Sequence, residues 1–584
     1  MEKVSAVLLA PLALALLGAT LGPVGCGPDQ CDDDCPETDS ESSGEEFPPP
    51  EELIPGLFRN KDADILFVID NSASMGEEQR QLSADFGAFI NALEDAGVNY
   101  RVAVTTSDYG NPRCTPGVFP RPPDQGRLAL DSCRNRVGLD GQARNDFVFD
   151  PQMIDATATC TDFCDQDVHD ALQGEWRPTT IENDDSEVAR AWIENTEGHL
   201  NLPAGVAEAA ADLGLSPTDA AFRCLGPQGV NGCGFESQLE SMYWALARSE
   251  EPGELNYGFL RDAAVLSIIH LTDEADCSSN PAQQSIFLDI DNTWAWEEGA
   301  TSPTSAVCWN AGVECLGTAP GPYAACEVVD KDINGDDTDD DDAAVLIPLS
   351  KYVKQLSDIE LEKKMIDRDR EVLVSYIGGV PPGYDAMQAE LQYADNDDQT
   401  EQIKFGIGPG CVGDGGGALP PVRMRELAEA FAVDGERNMF SVCDSSYANT
   451  LETIARRVVD QIRPACLRNC IADIDPATPL LDPNCVVFEE NAATDEVRDV
   501  PECELDPDTG EPAPPADEGA CFVYRLDKSG ETPSAVDDMS PECVEDGWNL
   551  ELRIVRVEPA DPGAALGVRC QLSDLVERDC PGLL

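Results

Sequence analysis

The chain has 584 residues, a length that predicts one large domain and at least one smaller one. Its 112 acidic and 38 basic residues give a net charge of −74. Because phosphate binding needs Lys and Arg, this balance argues against nucleic acid and anionic membrane surfaces as partners, and it favours cations, basic surfaces or a simply well-solvated surface.

Residues 1–25 have the pattern of an export signal: Lys3 precedes an uncharged stretch that is rich in Leu and Ala. Its end, Leu21 to Cys26, resembles a bacterial lipobox, in which the Cys becomes the lipidated N-terminus after cleavage. This predicts lipidation at Cys26 and an exported lipoprotein that touches the membrane only through its lipid, at the outer membrane or cell surface. An uncleaved membrane anchor is the alternative, which Pro11 disfavours.

The chain contains 23 Cys, an odd number. If Cys26 carries lipid, 22 remain and can all pair. Such a density in an exported chain predicts an oxidising compartment and a disulfide framework, whose pairing the sequence does not give. Residues 26–58 are acidic and rich in Pro and Ser, and we expect a disordered tether there.

The first predicted strand ends on an acid. Five apolar residues, 65–69, predict a strand buried on both faces, and a helical pattern runs from Glu77 to Gly97. Between them lie Asp70, Ser72 and Ser74, at the strand end where open α/β sheets place ligands. One carboxylate and two hydroxyls suit Mg²⁺. The alternative is that the two serines only cap the helix.

Strands and helices alternate through residues 59–463, which predicts an α/β domain with a mainly parallel sheet covered on both sides. Further strands are predicted at 100–105, 263–273, 371–377 and 439–443, and further helices at 234–246, 348–370, 423–431 and 447–462. Two long Cys-rich insertions occupy about 107–231 and 277–345, and the first contains a short helical pattern at 186–194. Residues 464–584 contain eight Cys and short strand patterns, which predict a small, Cys-rich, mainly β or irregular module.

A second buried strand also ends on an acid, Asp273. The motifs Asp70-Asn-Ser72-Ala-Ser74 and Leu271-Thr-Asp273 resemble those of von Willebrand factor A (vWA) domains. The whole pattern from Asp64 to about Arg463, with Gly-Cys-Gly-Phe-Glu before one helix and Thr-Asp-Glu-Ala-Asp-Cys after one strand, is similar to large-insert A-domain lipoproteins of bacteria. The resemblance implies a Rossmann-like, doubly wound sheet and a metal-ion-dependent adhesion site (MIDAS).

In that site, the resemblance assigns Asp70, Ser72 and Ser74 to the first metal-binding loop and Asp273 to a partner that acts through water. The family's Thr ligand has no clear counterpart here. Glu236 occupies its place, and we expect Glu236 to supply the missing oxygen. That substitution would add a negative charge, which should tighten cation binding and weaken capture of an acidic ligand.

The family's metal keeps one coordination position open for a carboxylate of a partner protein. The resemblance therefore implies a non-enzymatic protein that binds a protein or surface ligand through Mg²⁺, with Mn²⁺ or Ca²⁺ as substitutes. Two alternatives remain open: a structural, disulfide-rich envelope protein with a vestigial site, and a metal-dependent hydrolase that uses Asp70, Glu236 and Asp273.

A second candidate cation site lies at 330–341. Its oxygen donors have the spacing of an EF-hand-like calcium loop, with Gly335 at the sixth position; they include Asp330, Asp332, Asn334, Asp336 and Asp341. The alternative is a solvated acidic loop.

Common hydrolase motifs are missing from the sequence. It contains no His-Glu-x-x-His, no Gly-x-Ser-x-Gly and no glycine-rich phosphate-binding loop. Among its three histidines, His270 lies within a predicted strand, where a buried structural role is expected.

Overall fold

The computed structural model describes residues 61–584, except for 115–121, 139–144, 183, 289–302, 367–369, 414, 434, 463–465, 468, 479, 492–495, 506–511, 517, 529–531, 533, 535, 557–563 and 584. The predicted signal at 1–25, the lipidation site Cys26 and the tether at 26–58 lie outside the described residues. Within the described ranges, no helix combines the length and apolar character needed to cross a membrane.

The protein is mixed α/β with a central, mostly parallel sheet. Its seven strands are β1 (Asp62–Ile69), β2 (Asn99–Thr106), β3 (Ile193–Thr196), β4 (His199–Leu200), β5 (Val265–Leu271), β6 (Val372–Gly378) and β7 (Met439–Ser441). Their order is β7-β6-β5-β1-β2-β3-β4. The four neighbouring pairs β7–β6, β6–β5, β5–β1 and β1–β2 are parallel. Strand β3 runs antiparallel to β2, and β4 runs antiparallel to β3.

Helices cover both faces of this sheet. Those that pack on it are α1 (Gly76–Asp95), α2 (Pro217–Leu225), α3 (Gln238–Ser249), α4 (Leu349–Ile366), α5 (Val422–Ala430) and α6 (Ala448–Gln461). Odd-numbered residues of β1 share a hydrophobic cluster with α1, α2 and α6. Even-numbered residues share one with α3, α4 and α5. Because strand side chains alternate between faces, an uninterrupted apolar run is what a strand between two helix layers requires.

Aromatic packing fixes α1 against β1. The ring centroid of Phe67 lies 6.0 Å from that of Phe86, 5.7 Å from that of Phe89 and 5.2 Å from that of Phe222. Burial of each such side chain contributes about 1.5–3 kcal/mol. The chain leaves α1 through Gly97, whose φ of +64° favours glycine.

Other helices and strands are short and lie outside the central sheet. The helices are Thr157–Thr161, Gln166–Leu172, Ala204–Leu213, Ala306–Gly312, Gln399–Phe405, Pro541–Glu545 and Val576–Asp579, with 3₁₀ turns at Cys133–Arg136, Asp150–Gln152, Pro281–Phe287 and Pro581–Leu583. The strands are Val148–Phe149, Ile154–Asp155, Thr179–Ile181, Asp184–Val188, Val313–Cys315, Cys326–Val328, Cys411–Gly413, Gly416–Ala418, Cys485–Asn491, Glu496–Val500, Glu504–Leu505, Pro512–Ala513, Ala520–Arg525, Glu551–Arg556 and Ala564–Cys570.

The prediction of a helix at 186–194 is wrong. This segment contains the end of the strand Asp184–Val188 and the start of β3. Ile193 and Glu194 pair with β2, and the Glu194 carboxylate accepts a hydrogen bond from Arg101 Nε at 2.7 Å. Tertiary pairing with a sheet edge therefore overrides the local pattern. The first insertion also supplies β4 and α2, so it completes the central sheet and its helix layer.

Ten disulfides join 20 of the 23 cysteines, and the other three lie outside the described residues. The pairs are 114–233, 133–160, 164–224, 277–308, 315–326, 411–443, 466–543, 470–580, 485–570 and 503–521. The last four lie entirely within 464–584. That segment also has its own hydrophobic cluster, which includes Val487, Phe522 and Leu552. Its boundary as a separate domain stays a prediction.

We predict that Gly379→Ala destabilises the domain. A Cβ at this position, just after β6, would lie 1.9 Å from the carbonyl oxygen of Leu419, so the backbone must move. The expected cost is about 1–3 kcal/mol, measured as a lower midpoint of thermal unfolding. Gly519→Ala is the matched control, because its added Cβ meets no atom within 4 Å. Equal midpoints for the two variants would contradict the prediction.

Candidate functional site

Loops after β1, β2 and β5 meet at the carboxyl edge of the sheet. The Asp70 backbone N–H donates to the Leu271 carbonyl at 2.9 Å, and that of Ser107 donates to the Ile69 carbonyl at 3.1 Å. β1 lies between β2 and β5, so the chain leaves β1 where the strand order changes direction. Open α/β sheets place their ligands at such a crevice.

The carboxylate of Asp70 is fully buried and held by hydrogen bonds. Its Oδ1 accepts from the Ser72 backbone N–H at 2.8 Å, and its Oδ2 accepts from the Thr272 hydroxyl at 2.6 Å. Its backbone carbonyl accepts from Gln79 Nε2 at 2.7 Å. Asp70 is therefore fixed in position before any ligand arrives.

Two hydroxyls lie together on the loop after Asp70. Ser72 Oγ and Ser74 Oγ are 3.3 Å apart; Ser72 is buried, whereas Ser74 is exposed. The alternative that the serine side chains cap α1 is wrong. The N-cap residue of α1 is Met75, whose side chain makes no capping hydrogen bond. The N–H groups of Met75 and Gly76 donate to the backbone carbonyls of Ser72 and Ser74, respectively, and not to their hydroxyls. Neither hydroxyl caps the helix. The two hydroxyls lie within hydrogen-bond distance of each other, and a hydrogen bond from the Ser74 side chain lowers the pKa of Asp273.

Glu236 and Asp273 each have a buried carboxylate oxygen without a hydrogen-bond partner. Glu236 is 1% exposed and Asp273 is 7% exposed, and the oxygens concerned are Glu236 Oε1 and Asp273 Oδ1. A buried, unpaired carboxylate oxygen costs several kcal/mol, which indicates that a partner is needed.

The loop before α3 is fixed at this edge on both sides of Glu236. The Cys114–Cys233 disulfide anchors it, and the Ser237 N–H donates to the Ser107 carbonyl at 2.9 Å. Glu236 accepts a backbone hydrogen bond from the Cys277 N–H at 2.6 Å. α3 begins only at Gln238, four residues after the predicted start, so Glu236 lies in a loop.

Two further acids, Glu78 and Glu274, were missed in the sequence. Each has a buried carboxylate oxygen, Oε2, without a partner. Glu78 could have been found as the one acid on the apolar stripe of α1, four residues before Leu82. Glu274 directly follows Asp273, but the sequence does not indicate whether the Glu274 side chain points toward the same site.

Burial raises the pKa of all five acids, and neighbouring negative charges raise the pKa of four of them further. The pKa values of Asp70, Glu236 and Asp273 lie above their ordinary range, chiefly through desolvation. Desolvation also raises the pKa of Glu78 to about 7 and that of Glu274 to about 8. Asp70 contributes a repulsive charge to each of the other four groups. A cation would relieve this repulsion.

The residues fit a cation that is held largely by hydroxyls and water. Asp70, Ser72 and Ser74 supply a carboxylate and two hydroxyls, and Glu236 and Asp273 supply unpaired oxygens nearby. In the described ranges, the only three acidic, His or Cys side chains with ligand atoms all within 4.8 Å of one another are Cys133, Cys160 and Cys164. These form disulfides, so their sulfurs are not thiolates. Asp70, Glu236 and Asp273 therefore do not close a cage of three carboxylates.

The loop at 330–341 is folded by its own hydrogen bonds. Asp332 Oδ1 accepts from the backbone N–H groups of Asn334 at 2.8 Å and Asp336 at 3.1 Å, and Gly335 has φ +84°. Asp330 lies 3.9 Å from an Arg423 nitrogen. Among the described residues of this loop, no three carboxylates have oxygen atoms that all lie within 4.8 Å of one another. Calcium binding at Asp330, Asp332, Asn334, Asp336 and Asp341 stays a prediction.

His270 has the structural position that the sequence predicted. It lies in β5, is fully buried, and stacks on Tyr376 with ring centroids 4.2 Å apart. Burial lowers the pKa of His270 to about 3, so the ring is neutral at physiological pH.

No protein-family model and no curated protein matches this chain. Two crystal structures of the pilus adhesin SpaC from Lactobacillus rhamnosus GG are similar to it at low scores. The first, in an open conformation, is 10% identical with a TM-score of 0.27, and the match covers 88% of this chain and 52% of that one. The second is 11% identical with a TM-score of 0.24, covering 87% and 53%. The chain thus spans about half the length of these structures, and scores this low carry no argument about fold or function.

We predict that Glu78 makes the metal-free protein less stable as pH rises. The folded-state pKa of about 7 exceeds the ordinary 4.5, so folding favours the protonated form, and this stabilisation is lost as pH rises from about 4.5 to 7. At 1.36 kcal/mol per pKa unit the loss is about 3 kcal/mol. Glu78→Gln keeps the shape but does not titrate. Thermal unfolding in chelator should show a smaller fall for Glu78→Gln, and parallel pH curves would contradict the prediction.

Proposed function

We propose that this chain is a lipid-anchored cell-envelope protein whose vWA domain binds a protein or surface ligand through a divalent cation. Asp70, Ser72 and Ser74 would hold the cation, with Glu236 and Asp273 beside it. One observation carries the proposal: buried carboxylate oxygens of Glu236 and Asp273 lack partners next to two hydroxyls that cap nothing. Mg²⁺ suits this oxygen set first, and Mn²⁺ or Ca²⁺ can substitute for it.

The strand order supports the assignment to a Rossmann-like vWA fold. Without β4, the sheet has the order β7-β6-β5-β1-β2-β3, which is the 3-2-1-4-5-6 order of doubly wound sheets read from the other edge. The antiparallel β3 is the one departure from an all-parallel arrangement. The candidate site then lies at the carboxyl edge beside β1, where that topology places ligands.

The residues of the site would bind a ligand without breaking bonds. Thr272 and the Ser72 N–H hold the Asp70 carboxylate in one orientation, and the exposed Ser74 leaves one side open. A bound divalent cation supplies Lewis acidity toward an oxygen of the partner. The family resemblance implies that this oxygen belongs to a carboxylate.

A structural envelope protein with a vestigial metal site is the second candidate. Two observations favour it. The carboxylate oxygens of Asp70, Glu236 and Asp273 do not all lie within 4.8 Å of one another, and ten disulfides crosslink the chain. Calcium binding at 330–341 is an independent proposal and does not decide between these functions.

We predict that Mg²⁺ binds at Asp70. Isothermal titration of the purified full chain with Mg²⁺, Mn²⁺ and Ca²⁺ should show one site that the isosteric Asp70→Asn variant loses, because the variant removes the negative charge that the cation needs. Asp397→Asn, at an exposed position outside both candidate cation sites, is the control for unspecific binding to acids and should retain the site. Equal heats for wild type and Asp70→Asn would remove the metal-mediated function and leave the structural candidate.

We also predict that Cys26 carries lipid. Cells that are labelled with a palmitate analogue should incorporate label into the wild-type chain. Cys26→Ser should abolish this label, because Cys26 is the cysteine directly after the lipobox-like segment 21–25. The variant's amount is checked on an immunoblot. Undiminished label in the variant would refute the anchor while leaving the metal site untouched.

A further inference from the structure

The hydroxyl of Thr272 has one hydrogen and three hydrogen-bond partners. Its Oγ1 accepts from Gln238 Nε2 at 2.8 Å and from the Glu274 backbone N–H at 3.1 Å. It donates to Asp70 Oδ2 at 2.6 Å. A hydroxyl oxygen has two acceptor lone pairs and one hydrogen. Because N–H donors engage both lone pairs, the hydrogen of Thr272 is directed at Asp70.

The orientation of the Gln238 amide decides this direction. Gln238 Oε1 has no hydrogen-bond partner among the described residues, so the amide acts through its Nε2. If the amide were reversed, Gln238 Oε1 and Asp70 Oδ2 would compete for the single Thr272 hydrogen. Gln238 and Asp70 are 0% exposed and Thr272 is 1% exposed, so water does not supply a substitute donor.

The start of α3, where Gln238 lies, is fixed by the loop that follows β5 and also carries Thr272. The Leu239 N–H donates to Asp276 Oδ1 at 3.3 Å. The Glu240 N–H donates to Ser278 Oγ at 2.9 Å. The first N–H groups of a helix have no partner within the helix, so these two side chains satisfy groups that would otherwise be unpaired. The first turn of α3 therefore keeps its place beside Thr272.

We propose that Gln238 is a positioning residue for the candidate cation site: it fixes the direction of the Thr272 hydroxyl and, through it, the orientation of the Asp70 carboxylate. This inference rests on the proposed metal-mediated function. Removal of the Gln238 donor frees one lone pair of Thr272, so the hydroxyl can rotate away from Asp70. A carboxylate that is held less firmly before a cation arrives binds that cation more weakly.

The test compares Gln238→Met, which has a similar shape but no donor, with the matched control Gln355→Met. Gln355 Nε2 also donates one hydrogen bond, to the Tyr243 carbonyl at 3.0 Å, and Gln355 Oε1 also lacks a partner among the described residues. The Mg²⁺ affinity of the purified full chain is measured by isothermal titration, with Asp70→Asn as the variant that lacks the site. Thr272→Val, which removes the hydroxyl, completes a double-mutant cycle with Gln238→Met.

Thr272→Val should weaken Mg²⁺ binding at least about tenfold and Gln238→Met, one step further from the cation, about three- to tenfold. Gln355→Met should retain the wild-type affinity. In the Thr272→Val background, Gln238→Met should cause no further weakening, because no hydroxyl is left to orient. A second measurement needs no metal: in chelator, the double variant should lower the midpoint of thermal unfolding by less than the two single variants together.

Wild-type Mg²⁺ affinity in Gln238→Met would overturn the inference and leave the metal site standing. Equal weakening by Gln238→Met with and without the Thr272 hydroxyl would also overturn it, because that result is expected of a residue that only supports the fold. If Gln238→Met fails to fold, Gln238→Ala replaces it in every comparison, since Ala also lacks a donor. If Mg²⁺ binds wild type no better than Asp70→Asn, the proposed function fails together with the inference.

Discussion

The burial of the Asp70 carboxylate is the constraint on which the rest of this sheet edge depends. An ionised carboxylate away from water costs several kcal/mol unless hydrogen bonds or a cation compensate. Here Thr272 and the Ser72 N–H supply two hydrogen bonds, which tie the loops after β5 and β1 to one another. The same carboxylate repels four other acids, so the edge is both highly connected and electrostatically unfavourable.

Covalent links help to hold that unfavourable arrangement. Disulfides anchor the loops near the site: Cys114–Cys233 precedes Glu236, Cys277–Cys308 follows Asp273, and Cys411–Cys443 joins the hairpin whose Gly415 faces Glu78 to the segment after β7. Each disulfide typically contributes about 2–4 kcal/mol. Such links can keep like charges close together, where an uncrosslinked loop would move apart.

Periodicity located most of the central elements to within a few residues. The predicted strands at 263–273 and 371–377 correspond to β5 and β6, and the helices at 423–431 and 447–462 to α5 and α6. The error at 186–194 arose because a sheet edge, not the local pattern, decides that conformation. The family resemblance named Asp273, and register with the following helix named Glu236, but no local signal identified Glu274 as a member of the same cluster.

The sequence by itself determined the two acid-terminated buried strands, because a run of apolar residues and the polar residue that ends it are local properties of the chain. It also determined the excess of negative charge. Only the tertiary structure decided which acids share one site, since Asp70 and Thr272 meet across 202 residues of chain. It also decided that the serine hydroxyls do not cap α1, and that Glu236 Oε1 is buried without a hydrogen-bond partner. Those properties depend on distances between loops, which no local pattern encodes.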